Sequence, residues 1–106
     1  MNKYKAVRTL VDGVLFDSKK EAAHYQNLRA MERCGVISGL ECHKRYTLEV
    51  KGTKICDFEP DFVFMYAGGE KSAHDVKGLR KGSAYQLFRI KARLFEALYG
   101  VRVIEV

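Results

Sequence analysis

The chain has too few cysteines, in the wrong places, for disulfides or a structural zinc to hold it. Cys34, Cys42 and Cys56 are the only three. Their odd number and the absence of CxxC spacing exclude a disulfide framework and the usual zinc-binding patterns. Cys42 and Cys56 fall in apolar strand-like runs and read as reduced core fillers. No apolar run approaches membrane length and no signal-peptide pattern is present, so the expected location is the cytoplasm, with no membrane partner. Repeats, linkers and low-complexity stretches are also missing. There is one proline, Pro60; inside a strand-like run it marks an edge, a bulge or a strand start. Acidic residues are the scarcer charge: 13 Asp and Glu against 19 Lys and Arg give a net charge of +6. That balance points to a polyanionic partner, nucleic acid first; the plainer reading is a soluble protein that happens to be basic.

What is present suits one small globular domain. Its 106 residues are 47% hydrophobic and 30% charged, enough for a single modest core and ordinary for a folded protein. Residues 4–16 read as a hairpin around the turn pair Asp12-Gly13. Ser18-Lys19-Lys20-Glu21 is a capping box that opens a helix ending near Cys34, where Gly35 supplies the stop. Its buried stripe is expected to be Ala22, Tyr25, Leu28, Met31 and Glu32. Three strands are expected next, over about 40–50, 54–66 and 71–77, with turns at Gly52 and Gly68-Gly69. Ser83-Ala84-Tyr85-Gln86 reads as a second capping box, opening a helix over 84–99 with Leu87, Ile90, Leu94 and Leu98 on its apolar stripe. Gly100 ends it, and 101–106 is a last strand. A helix joining two strands favours a parallel pairing with a right-handed crossover.

Four residues in this frame could carry chemistry. Asp75 and Lys77 stand two apart on a strand and share a face. Asp61 lies just before the run Phe62-Val63-Phe64-Met65-Tyr66, and a hairpin through Gly68-Gly69 returns the chain beside it. Register then decides the matter. A two-residue Gly-Gly loop would set Asp61 against Val76, with the aspartates on opposite faces. A three-residue loop at 67–69 would set it against Asp75, one at 68–70 against Lys77, and a bulge near Pro60 could also restore the match. Glu21 has two readings: a capping-box glutamate reaching back to the Ser18 backbone, or a carboxylate at the edge of the buried stripe that helps to hold a cation. Two carboxylates, a backbone carbonyl and a lysine are about the smallest set for phosphodiester hydrolysis. Oxygen ligands hold a hard cation, the cation offsets charge on phosphate and acidifies a water, and the lysine orients that water or steadies the developing charge.

With these residues in view, the sequence resembles the PD-(D/E)XK nuclease superfamily, which includes restriction endonucleases and Holliday junction resolvases of archaeal type. Glu59-Pro60-Asp61-Phe62 is similar to its first motif, Asp75-Val76-Lys77-Gly78 to its second, and Glu21 to an extra acidic position on the preceding helix. More narrowly, the run from Phe16-Asp17-Ser18 through Glu21-Ala22, Gly35-Val36-Ile37, Pro60-Asp61-Phe62 and Asp75-Val76-Lys77-Gly78 resembles small endonuclease-like proteins encoded by phages. The resemblance implies an α/β (α+β) fold over residues 1–106: a hairpin at 1–17, then a restriction-endonuclease-like αβββαβ core at 18–106 with a mixed central sheet flanked by helices. It implies a Mg²⁺-dependent DNA endonuclease, with Mn²⁺ as a second usable ion. Asp61, Asp75 and the Val76 carbonyl would bind metal with Glu21 assisting, and Lys77 would contact the scissile phosphate or the water. In a phage setting the location would be the host cytoplasm.

Other candidates are weaker in pattern. Gln86 is either an active-site helper or the glutamine of its capping box, and Lys91 either meets phosphate or snorkels at the surface. His24, His43 and His74 lack metal-ligand spacing, and His74 is expected on the strand face away from Asp75. Asp57 and Glu59 could enrich the acidic pocket but read more simply as solvated strand residues. Lys19 and Lys20 at a helix start, Arg80 and Lys81 in a glycine-bounded loop, Arg89 and Arg93 on the second helix, and Lys3, Lys5 and Arg8 on the hairpin could track a DNA backbone. With no spare domain or recognition helix for bases, cleavage should be structure-selective or nonspecific. Junction DNA is a plausible substrate, and cutting it symmetrically would need a homodimer. The alternatives are a catalytically inactive nucleic-acid-binding module that keeps the nuclease fold, and an interaction domain whose charge serves solubility.

Overall fold

The structure is a computed structural model that describes residues 7–106. The sequence readings at Lys3 and Lys5, and the start of the predicted hairpin, lie outside the described residues. The order of elements is β1 (Thr9–Val11), β2 (Val14–Phe16), α1 (Lys19–Arg33), β3 (Ile37–Cys42), β4 (Tyr46–Val50), β5 (Thr53–Phe58), β6 (Phe62–Tyr66), β7 (Lys71–Asp75), α2 (Ser83–Tyr99) and β8 (Val103–Glu105). This is a compact α+β fold built on a mixed sheet in the order β3-β6-β7-β8. The pairs β3/β6 and β6/β7 are antiparallel, whereas β7/β8 is parallel, as the helical crossover α2 requires.

β6 explains the layering. It is covered on both faces, so its run is apolar without alternation. Phe62 and Phe64 join Phe16, Tyr25, Leu28, Ile37 and Leu40 in the core under α1 and the β1–β2 hairpin. Val63 points the other way and packs with Tyr46, Leu48, Phe58, Ala73, Phe95 and Val101 under α2 and the β4–β5 hairpin.

Two of the predicted strands are each two strands. The stretch 40–50 breaks at His43, which has a left-handed backbone (φ 54°), so β3 stays in the main sheet and β4 leaves it. The stretch 54–66 breaks at the buried Pro60, which cannot donate to a ladder. The β4–β5 hairpin thus forms its own two-stranded sheet, inserted between β3 and β6. A register shift in β3 falls between Ser38 and Glu41, at Gly39 (φ 65°). The Leu40 N–H there donates to the Glu32 carboxylate of α1 (3.0 Å). Glu32 is half-buried and serves the bulge instead of completing a buried stripe, whereas the half-buried Met31 packs against the core as predicted.

The predicted face of α2 is also corrected. Leu87, Ile90 and Leu98 are exposed, Ile90 by 65%. Of the predicted stripe only Leu94 packs against the core; the helix packs mainly through Phe88, Ala92 and Phe95, because Phe95 meets three rings: Tyr46, Phe58 and Tyr99, at centroid distances of 4.9, 5.3 and 5.2 Å. Nor does Ser83 form a capping box. The N-cap is Gly82, at a φ of 93° that favours glycine, with no side-chain cap, and the Gln86 N–H donates to its carbonyl (3.1 Å).

Phe95→Ala should therefore cost about 3–5 kcal/mol, as for a large aromatic removed from a closed core. Ile90→Ala should change stability by no more than about 0.5 kcal/mol. Urea unfolding of both variants checks this; the reverse ranking would restore the predicted face.

Candidate metal and phosphate site

The β6–β7 connection sets the site. Tyr66 N–H donates to the Glu70 carbonyl and Gly69 N–H to the Tyr66 carbonyl, both at 2.8 Å. They enclose the three-residue loop Ala67–Gly69, with Gly69 at φ 95°. The register is Phe62 against His74 and Val63 against Ala73. One step outward, Asp61 stands across from Asp75. No bulge near Pro60 is needed in this pair.

Beyond the ladder the two aspartates are fixed in different ways. Asp61 Oδ2 accepts the Val76 N–H at 2.8 Å. Asp75 is buried, with Lys77 Nζ 3.5 Å from its Oδ1. The Lys77 ammonium also lies 3.5 Å from the centre of the Phe88 ring of α2, a cation–π contact. The backbone around them is held by β8, since Val106 N–H donates to the Asp75 carbonyl (2.9 Å) and Lys77 N–H to the Val106 carbonyl (3.0 Å). Lys20 Nζ caps the Lys77 carbonyl at 2.9 Å.

Glu21 arrives from the first turn of α1. Half of the predicted capping box is present, with Ser18 Oγ accepting the Glu21 N–H (3.1 Å). The carboxylate, however, is buried and turned towards His43, Nε2 to Oε1 at 2.6 Å. One ligand atom each from Glu21, His43 and Asp61 lie within 4.8 Å of one another. His43 is the residue that sequence spacing missed. It comes from a loop far from the other two in sequence, and its one signal was a polar break, His43-Lys44-Arg45, at the end of an apolar run. His24 and His74 form a separate pair between α1 and β7, Nε2 to Nδ1 at 2.8 Å. Burial and the neighbouring ring push His74 down to about 4.

The electrostatics are those of an acidic pocket short of positive charge. Burial, then the adjacent Asp61, hold the Asp75 carboxyl well above the usual carboxylate range, and Lys77 offsets this only in part. Burial and Asp61 likewise raise Glu21 against the opposing pull of His43. The Glu21 and Asp61 carboxylates and the His43 imidazole form a donor set that could hold a divalent cation. The site opens into a cleft of about 620 Å³ on the α2 side of the sheet, where Arg45 and Lys91 stand beside Asp61, Asp75 and Lys77. Asp57 and Glu59 line the same cleft but are engaged by Lys54 (3.2 Å) and Arg45 (3.6 Å).

The remaining sequence candidates are dispersed. Gln86 is exposed and outside the cleft lining. Arg89 lines a smaller groove of about 290 Å³ with Arg93 and Arg102. Arg80 pairs with Glu105 (3.4 Å), whose carboxylate also accepts the Tyr85 hydroxyl (2.8 Å). Lys19 and Lys81 are exposed. No helix among the described residues is long and apolar enough to cross a membrane.

Over residues 1–104 the chain matches the model of a protein family of unknown function, DUF1064, and it belongs to that family. No curated protein and no solved structure matches it.

The raised Asp75 carboxyl has a measurable consequence. Its folded value lies above its unfolded one, so the stability it contributes is complete below about pH 4, the ordinary carboxylate range, and is lost as pH rises through the folded value. In EDTA, Asp75→Asn should remove this loss. The variant should be more stable than the parent by about 1–2 kcal/mol at pH ~8, with the difference vanishing near pH ~4. Urea midpoints across this range decide, since His24 and His74 act equally in both proteins.

Proposed function

We propose that this member of the DUF1064 family is a metal-dependent DNA endonuclease that hydrolyses phosphodiester bonds. The observation that carries the reading is Asp61 standing between two neighbours, Glu21 on one side and Asp75 with Lys77 on the other, with Asp61, Asp75 and Lys77 lining a cleft that Arg45 and Lys91 share. Three acids packed where two resist their own charge suit a cation and a phosphate better than they suit stability. The finer fold assignment, a restriction-endonuclease-like αβββαβ core, is supported by the succession α1, β3, β6, β7, α2, β8, with β4–β5 as an inserted hairpin.

In this reading Asp61, Asp75 and the Val76 carbonyl hold the ion, and Glu21 provides a further acid. A bound Mg²⁺ or Mn²⁺ would draw charge from the phosphate and lower the pKa of a water. Lys77 presents its ammonium from beside Asp75 and over Phe88, positioned to orient that water or to stabilise the phosphate oxygens. Lys20 fixes the carbonyl behind it. Arg45 and Lys91 meet flanking phosphates, which position the duplex without reading its sequence. Cleavage is therefore structure-selective or nonspecific, branched DNA included, and paired cuts across a symmetric junction would take a homodimer.

Supercoiled plasmid and a four-way junction, incubated with the protein and Mg²⁺, Mn²⁺ or EDTA, test this directly. Cutting is expected with either ion and none in EDTA, and Lys77→Ala should slow it by at least about 10²-fold. A Lys77→Ala variant that cuts as fast as the parent would show that the proposed site is wrong. Binding without cutting under either ion would favour a nucleic-acid-binding module.

A further inference from the structure

The nuclease reading needs carboxylates and a lysine; it has no use for a histidine. Yet His43 is held at the acidic cluster from two directions. Its backbone N–H donates to the Asp61 carbonyl at 3.0 Å, and its backbone is left-handed. Its ring lies 5.8 Å from that of Phe16, centroid to centroid. So placed, its Nε2 reaches the Glu21 carboxylate (2.6 Å), while its side chain remains 28% exposed and open to solvent. A Glu–His hydrogen bond can be a simple structural pair. This one differs because a ligand atom of Asp61 lies within 4.8 Å of both partners. Asp61 accepts the Val76 N–H through Oδ2, and its carboxyl also hydrogen-bonds that of Asp75.

We infer that His43 is a direct ligand of the divalent ion, together with Glu21 and Asp61, and that its nitrogen makes the site favour a first-row transition cation, Mn²⁺ or Co²⁺, over Mg²⁺. This rests on the metal-dependent reading above and sharpens it. Mg²⁺ is a hard ion that takes oxygen and water in near-ideal octahedral geometry, and an imidazole among its oxygen ligands works against it. Transition cations accept imidazole alongside carboxylate. Asp61 is the shared corner, with Glu21 and His43 on one side and Asp75 with Lys77 on the other.

The test is made on the full chain with the metals alone. Mn²⁺ binding is followed by electron paramagnetic resonance, Mg²⁺ by competition against it, and nitrogen ligation by electron spin echo envelope modulation with ¹⁴N- or ¹⁵N-histidine. The parent should show histidine-nitrogen coupling that changes with the isotope. His43→Asn, which tolerates a left-handed backbone, should lose that coupling. It should also bind Mn²⁺ at least about 10-fold more weakly, with Mg²⁺ affinity changed less than about 3-fold. If His43→Asn does not fold, the double variant His24→Gln/His74→Gln decides by elimination, because the chain has three histidines. Coupling that survives in the double variant comes from His43.

Mn²⁺ bound without nitrogen coupling, or coupling that persists in His43→Asn, would overturn the assignment. The nuclease reading would still stand if Asp61→Asn abolished both Mn²⁺ binding and DNA cleavage. A parent chain that binds neither ion would remove both.

Discussion

The three-residue loop between β6 and β7 is the constraint on which the site depends. Side chains alternate across a sheet, so one residue more or fewer in that loop would turn Asp61 to the opposite face from Asp75. The loop fixes the register through two short backbone bonds around Gly69. The same register lets Asp61 accept the Val76 N–H just where the β6–β7 ladder stops. The parallel strand β8 then takes over, pairing with the backbone at Asp75 and Lys77. The acidic pair is thus set in main-chain geometry, which is stiffer than side-chain contacts between loops.

A second polar chain fixes α1 against the sheet and so delivers Glu21. The Tyr25 hydroxyl donates to Asp12 in the β1–β2 turn (2.9 Å), and Arg29 Nε donates to the same hydroxyl (2.9 Å). Arg29 also pairs with Glu32, whose other oxygen receives the Leu40 N–H. That bond draws the Glu32 carboxyl below its usual range, and the arginine strengthens the effect. The bulge in β3 frees an amide, and the helix supplies its acceptor, so the irregularity locks α1 in place. His43 follows one residue after β3 ends, and its position follows from how that strand is held.

Local chemistry made much of this legible from the sequence. Asp12-Gly13 reads as a hairpin turn because both residues take left-handed backbones, at φ 52° and 76°. Ser18 begins α1 as a cap, and Gly100 ends α2 in a left-handed conformation. The odd loop was one of a few registers the spacing allowed. What could not be read depended on distant partners. β3 and β4 run together in sequence because Leu40, Cys42, Tyr46 and Leu48 keep one period; only the polar break His43-Lys44-Arg45, with its turn at His43, parts them. α2 is apolar on more than one face, so its period fits the Leu87, Ile90, Leu94 stripe as well as the Phe88, Ala92, Phe95 one. The aromatic cluster of Tyr46 and Phe58, from the inserted hairpin, decides between them.

The remaining tension is between the site and the fold. The two core clusters on either side of β6 are apolar and closed, yet the end of the same sheet concentrates buried carboxylates whose charges are mutually unfavourable. Hydrogen bonds and one lysine offset part of that cost. Lys77 cannot neutralise Asp61, Asp75 and Glu21 together, and it divides its charge between Asp75 and the Phe88 ring. Lys20 and Arg45 are engaged elsewhere, with the Lys77 carbonyl and with Glu59, while Lys91 lines the same cleft. Burial first, and the neighbouring Asp61 second, raise the proton affinity of Glu21 and Asp75. A sheet end built only for stability would place apolar or solvated residues there. In the nuclease reading proposed above, carboxylates beside an open cleft are instead an arrangement whose cost a bound cation would relieve.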